Sequence, residues 1–139
     1  MRILGLDVGD SRIGVAISDP EEIIATPLTI ITRDEDNAAI DAIVHLIGQY
    51  DVKRIVVGLP YSLNGSIGIQ ATKVKDFVDT LSQSTSAGIE LRDERLSTVA
   101  AQRLLRGAGN KKARKRSHLD AAAAAFILQG YLDSLKVGD

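Results

Sequence analysis

Short apolar runs closed by turn signals fill the first third of the chain, and segments of helical period dominate the rest. Arg2–Val8 reads as a buried strand: short, apolar and ended by Gly9. Gly9-Asp10-Ser11 is a tight turn, and Ile13–Ser18 (IGVAIS) reads as a second strand returning antiparallel. Pro20-Glu21-Glu22 makes another turn, and Ile23–Ile31 supplies a third strand interrupted near Pro27. The opening is therefore a three-stranded meander.

Ala39, Ile40, Ile43, Val44 and Ile47 then share one helical face within 38–50. Arg54–Gly58 (RIVVG) is a continuous apolar run, as a central parallel strand requires. A second helix is predicted over Ile69–Leu81, on the spacing of Ala71, Val74, Phe77, Val78 and Leu81. Ile89–Arg92 is a last short strand leading into Asp93-Glu94-Arg95. Ser97 or Thr98 caps a helix to about Arg106, ended by Gly107 and Gly109. Residues 110–116 read as a basic loop, and Ser117–Leu135 as an apolar, alanine-rich final helix. The order βββ-α-β-α-β-α-α predicts an α/β fold: a mixed five-stranded sheet, three strands antiparallel and then parallel, with helices on both faces. No repeat or linker divides the chain, so 1–139 is expected to be a single domain.

Composition narrows the chemistry. With no cysteine, disulfides, thiolate catalysis and cysteine-based zinc sites are excluded. The longest apolar run, Ala121–Leu128, is far short of the roughly 20 residues a membrane helix needs. A soluble cytoplasmic protein is expected. Net charge is −1, but its distribution is uneven. Of 17 basic residues, Lys111, Lys112, Arg114, Lys115 and Arg116 are adjacent; the other 12 against 18 acidic residues leave −6. A nearly neutral chain thus carries one concentrated cationic patch.

The candidate chemistry lies in the carboxylates. Asp7 sits inside an apolar strand, where a bare charge is costly unless a cation, a salt bridge or a cap compensates it. Gly5 and Gly9 flank it and leave room for close approach by a phosphate backbone. Asp93 and Glu94 stand at a strand end, and alternation lets only one of them share Asp7's face. Asp120 lies near the start of the last helix and shares a face with Ala123, Ala124 and Ile127, so an acid rides on the apolar stripe. A first-turn aspartate favoured by the helix dipole accounts for an acid here, but not for one on that stripe. Three converging carboxylates need a counter-ion, and Mg2+ or Mn2+ fits hard oxygen donors and a phosphodiester substrate. His45 reads as an ordinary helix residue and His118 as a solvated loop-end histidine.

Taken together, Gly5-Leu6-Asp7-Val8-Gly9 with Arg12-Ile13-Gly14-Val15-Ala16, Val57-Gly58-Leu59-Pro60 with Asn64-Gly65-Ser66 and Gln70-Ala71, Asp93-Glu94-Arg95 with Thr98, and Asp120-Ala121-Ala122-Ala123 resemble the YqgF (RuvX) family. The resemblance spans nearly the whole chain. Family members are bacterial proteins associated with Holliday-junction resolution and with maturing the 5′ end of pre-16S rRNA. It implies an RNase H-like fold and a metal-dependent endonuclease. It assigns Asp7, Glu94 and Asp120 as catalytic metal ligands, with Asp93 the runner-up for the second place. Arg12 is implied to touch phosphate or order its loop.

The patch at Lys111, Lys112, Arg114, Lys115 and Arg116 precedes Asp120 and suits sequence-independent phosphate contacts. Arg103 and Arg106 extend it. No aromatics are interleaved, so base stacking is not expected. The glycine-bearing loop 63–68 lacks the GxxxxGK[ST] pattern of a Walker A loop. The expected partner is structured RNA or branched DNA, with no membrane, and the protein a monomer or homodimer. Two rivals carry distinct signatures. An actin-like or sugar-kinase ATPase shares the DxG turn but normally needs a second lobe, and nucleotide would stabilise it. A non-catalytic nucleic-acid-binding module would tolerate loss of Asp120.

Overall fold

The computed structural model describes residues 1–9, 11–59, 69–93 and 112–137, and within these the side chains of 69, 70, 93, 112–120, 136 and 137 are not described. Strands β1 (Arg2–Val8), β2 (Arg12–Ser18) and β3 (Ala25–Thr32) lead into helix α1 (Asp36–Tyr50). Strand β4 (Val52–Leu59), helix α2 (Ile69–Ser82), strand β5 (Gly88–Asp93) and helix α3 (Lys112–Val137) follow. The strands form one five-stranded sheet in the order β3-β2-β1-β4-β5. β3, β2 and β1 pair antiparallel, while β1, β4 and β5 pair parallel. The expected mixed sheet is therefore present, with β1 at its centre.

Strand alternation sorts the sheet into two faces. Leu4, Leu6, Val8, Ile13, Val15, Ile55, Val57 and Leu59 pack with Ile40 and Ile43 of α1 and with Val74, Phe77 and Leu81 of α2. Ile3, Ala16 and Val56 pack on the opposite face with Ala124, Ile127, Leu128, Tyr131 and Leu132 of α3. Helices thus cover both faces, as the pattern predicts.

Two expectations are corrected at their edges, and the interruption expected near Pro27 takes a definite form. β3 begins at Ala25 rather than Ile23, because the amides of Ile23 and Ile24 both donate to Oδ1 of Asp19, at 2.7 and 2.8 Å. A side chain that captures two consecutive amides holds them in a turn and out of the ladder. The interruption near Pro27 is a register shift: Val15 pairs with Thr29 but Ala16 with Pro27, leaving Leu28 bulged. β3 is an edge strand, where a proline costs no ladder hydrogen bond. The other correction concerns the basic segment. α3 starts at Lys112, so Lys112, Arg114, Lys115 and Arg116 belong to its opening turns and not to a loop. Lys, Ala and Arg lose little rotamer freedom in a helix, and that propensity outweighs the unfavourable placement of cations at a helix N-terminus. The helix expected from Ser97 or Thr98 to Arg106 lies outside the described residues. Among the described residues no helix is long and apolar enough to cross a membrane.

Candidate active site

Asp7 is the penultimate residue of β1 and is half-buried. Its Cα partner across the antiparallel pair is Gly14, a residue with no side chain to crowd it. Ile3 belongs to the α3-side core, and Leu4, Leu6 and Val8 to the other. Asp7 is in phase with Ile3 and Gly5, so it stands on the α3 face at the end of the central strand. In sheets of this kind ligands gather beyond the carboxyl ends of the strands.

Gly5 sets how close α3 comes. A Cβ built there would lie 2.8 Å from Cβ of Leu128 and 3.0 Å from the carbonyl oxygen of Ala124. Only glycine fits that gap. One step down the strand, Ile3 pairs with Arg54, whose guanidinium donates to the hydroxyl of Tyr131. β1 and α3 therefore run past each other in opposite senses: Ile3 lies near Tyr131, and Gly5 near Ala124 and Leu128. Two strand residues advance roughly 6.6 Å and four helical residues roughly 6 Å. Extended by one turn, the pairing brings backbone position 120 alongside the end of β1 that bears Asp7. Position 120 is also one turn before the fully buried Ala124 and three residues before the buried Ala123. Residues 112–119 continue the same helix for roughly 12 Å on the N-terminal side of position 120, and four of the five clustered cations belong to that stretch of backbone.

The second acid is sorted by register. Gly58 pairs with Arg92, and Leu59 with Asp93. Leu59 belongs to the α1/α2 core, and Ile89, in phase with Asp93, packs against the same core. Arg92, in the opposite phase, lies 3.6 Å from where a Cβ of Gly130 in α3 would stand. Position 93 therefore has the phase of the α1/α2 face, opposite to Asp7. Glu94 lies outside the described residues, as do Lys111, Arg103, Arg106 and the loop 63–68. Among the described residues no group of three or more His, Cys, Asp or Glu side chains forms a metal cluster. Of the three acids, Asp7 alone has a described side chain.

Arg12 opens β2 and is half-buried beside the same turn. Its carbonyl accepts the Gly9 amide at 2.9 Å, and a Cβ on Gly9 would lie 2.9 Å from that oxygen. Asp7 and Arg12 are thus joined by a hairpin that tolerates only glycine at its first position.

One residue escaped the sequence reading. Arg33, just past β3, donates from NH1 to the Gly9 carbonyl at 2.7 Å and from its amide to the Ser11 carbonyl at 2.8 Å. Its Nε donates to Oδ1 of Asp36 at 2.8 Å, and its guanidinium lies 4.9 Å from the centre of the Phe77 ring. An isolated arginine after a strand has no signature of such a role. The available clue was the Arg33–Asp36 spacing at a helix start. The Arg33 hydrogen bond holds the Asp36 carboxyl below the usual aspartate range. His45 is exposed on α1, as an ordinary helix residue would be.

Comparisons with known proteins agree with this fold. A family model described as "RuvX: Holliday junction resolvase" matches residues 1–134. A relative from Chloroflexus aurantiacus, named "Putative pre-16S rRNA nuclease", is 49% identical over 132 residues, covering 95% of this chain and 86% of its own length. A relative of the same name from Thermoanaerobacter pseudethanolicus is 48% identical over 137 residues, covering 98% and 99%. Among solved structures, T. thermophilus RuvC in complex with a Holliday junction substrate superposes with a TM-score of 0.63 at 12% identity, covering 99% of this chain and 96% of that one. Fowlpox virus resolvase with junction DNA gives 0.58 at 13% identity, covering 97% and 99%. The fold is therefore RNase H-like, the fold of the RuvC resolvases. With matching motifs, a matching sheet and relatives near half identity, this chain belongs to the RuvX (YqgF) family, whose members are named as nucleases and resolvases.

Proposed function

We propose that the protein is a metal-dependent endonuclease that hydrolyses phosphodiester bonds in structured nucleic acid, acting as one domain over 1–139. Its substrate is precursor 16S rRNA, after which the relatives at 48–49% identity are named as nucleases, with the 5′ leader the segment that the family resemblance implies. The observation that carries the reading is Asp7. It is a half-buried carboxylate at the end of the central strand, on the face that α3 approaches without an intervening side chain.

Asp7, Glu94 and Asp120 hold Mg2+ or Mn2+. Their donors are all carboxylate oxygens, which suit a hard divalent cation and fit neither copper nor structural zinc. For Glu94 over Asp93, the support is the strand phase described above. When bound, the ion supplies charge stabilisation and an activated water for phosphodiester hydrolysis. The chain does the rest. Arg12 and the cations Lys111, Lys112, Arg114, Lys115 and Arg116 grip the phosphate backbone and fix the scissile linkage over the carboxylates. Gly14, the cross-strand partner of Asp7, places no side chain beside the carboxylate. No aromatic residue is interleaved in the basic run 111–116, which fits recognition by shape and backbone.

The family description supports a second substrate, a four-way DNA junction, which shares this phosphodiester chemistry. A cleavage assay decides. Wild-type protein and Asp7→Asn are incubated with a precursor 16S leader and with a mobile junction, with and without Mn2+. Leader cleavage that requires Mn2+ and is lost in D7N is expected. Equal cleavage by D7N and wild type overturns the site. Cleavage of the junction alone transfers the site to the second substrate.

A further inference from the structure

Arg33 is a residue for which the nuclease chemistry has no direct use, yet it is anchored on several elements at once. Its side chain is 13% exposed. Four elements meet on it: the β1–β2 turn through two carbonyls, its own strand end, the first turn of α1 through Asp36, and α2 through Phe77. We infer that Arg33 is a positioning residue for the nuclease site, presetting the β1–β2 turn so that Asp7 and Arg12 hold their catalytic geometry.

The turn begins two residues after Asp7 and ends at Arg12. Its carbonyls at Gly9 and Ser11 both accept from Arg33, one from the guanidinium and one from the amide. A guanidinium presents donors in a rigid planar fork. Nε and NH2 of that fork are committed to the Asp36 carboxylate at 2.8 and 3.3 Å, and its face to Phe77. The direction of NH1 is thereby fixed before it meets the Gly9 carbonyl. The turn inherits that direction, because the Gly9 amide is itself tied to the Arg12 carbonyl. The clamp approaches from α1 and α2, the side of the sheet opposite the proposed ligands, so it takes no space from substrate. Lysine cannot replace it: one compact ammonium does not serve Asp36 and Gly9 in a shared plane.

The inference rests on the proposed metal site, and its test separates the two. Arg33→Ala and Arg33→Lys are compared with wild type and with D7N, each at a temperature where circular dichroism shows it folded. Three quantities are read: kcat and KM on the leader, Mn2+ affinity by calorimetry, and exchange of the Gly9 amide by NMR without metal. Positioning residues of metal sites typically contribute about 10–100-fold to metal affinity or turnover. The expected result is a loss of about that size in kcat and in Mn2+ affinity for R33A, with KM nearly unchanged. R33K should lose nearly as much despite its charge. Gly9 exchange should accelerate while Leu4 and Leu6 stay protected. R33K keeps the charge and the alkyl stem, so it reports even if R33A does not fold. A folded R33K with wild-type kcat, Mn2+ affinity and Gly9 protection overturns the inference. If D7N also cuts as wild type, the metal-site reading falls instead.

Discussion

The two faces of the sheet are built on opposite principles. The α1/α2 face is a close-packed layer of large aliphatic side chains, with Leu4, Leu6, Ile13, Val15 and Ile55 fully buried. The α3 face has large side chains too, Ile3, Val56, Ile127, Leu128 and Leu132, but toward the Asp7 end it uses Gly5 and Ala16 on the strands and Ala123 and Ala124 on the helix. There, backbone approaches backbone, and the row that begins with Ile3 and Gly5 ends in a carboxylate. The first face maximises apolar area removed from water; the second gives up area to bring a helix backbone near a charged strand end. One sheet thus separates stability from chemistry, and the same strand β1 serves both through its alternation.

That division predicts which substitutions damage activity and which damage folding. The largest effect should come from Asp7→Asn. It is expected to lower kcat by about a thousandfold or more, equivalent to about 4 kcal/mol of barrier at roughly 1.4 kcal/mol per decade. Its melting temperature should stay within a few degrees of wild type, as calorimetry would check. Leu6→Ala, one residue away and on the other face, should do the reverse. It is expected to cost about 2–5 kcal/mol of stability by urea unfolding, with kcat of the folded fraction preserved. Equal behaviour of these neighbours would break the comparison.

Gly5→Ala probes the boundary between the two. Its Cβ meets Leu128 and the Ala124 carbonyl too closely, so α3 must shift. Overpacking of this kind typically costs about 1–3 kcal/mol, and here kcat should fall as well, because position 120 moves with the helix. A G5A protein of wild-type stability would show that α3 is not held as close as described. Tyr131→Phe removes the hydroxyl that accepts from Arg54. A loss of about 0.5–1.5 kcal/mol is expected, with activity intact.

The smallest effect concerns acid. Asp36 is depressed first by the Arg33 hydrogen bond and then by its charge. Its contribution to stability is therefore present above the ordinary aspartate value of about 3.9 and fades as pH falls through the lower folded value. The carboxylate side chain is 56% exposed, so solvent screens the pair and the contribution is small. Asp36→Asn should make the urea midpoint flatter over the acid limb and slightly lower at neutral pH. A steeper acid limb would contradict the assignment.

Much of this division is legible in the sequence because it follows from periods. Strand alternation and helical spacing give the order of elements and Asp7's unusual place in an apolar strand; that β1 is the central strand follows from the pairing and not from any period. The spacing from Asp120 to Ala123, Ala124 and Ile127 predicts the sheet-facing stripe of α3. Other features depend on information that no period carries. Asp93 and Glu94 are adjacent, and which shares Asp7's face depends on the register Leu59–Asp93, a tertiary fact. The sequence places the start of α3 too late because the basic run resembles a solvated loop; intrinsic helix propensity of Lys112, Ala113 and Arg114 extends the helix instead. Asp19 ends β3 early through two side-chain hydrogen bonds that hydropathy does not record. Arg33 was invisible for the same reason: its partners lie in four elements, and only the fold assembles them.

The central claim is that Asp7 shares a divalent cation with Asp120 and Glu94 on the α3 side of the sheet. Anomalous diffraction from crystals grown in Mn2+ tests it most directly. The account predicts a peak about 2.1 Å from an Asp7 carboxylate oxygen, between the end of β1 and α3, with Glu94 and Asp120 also coordinating. A peak on the α1/α2 side coordinated by Asp93, or an Asp7 carboxylate without manganese at saturating concentration, would contradict it.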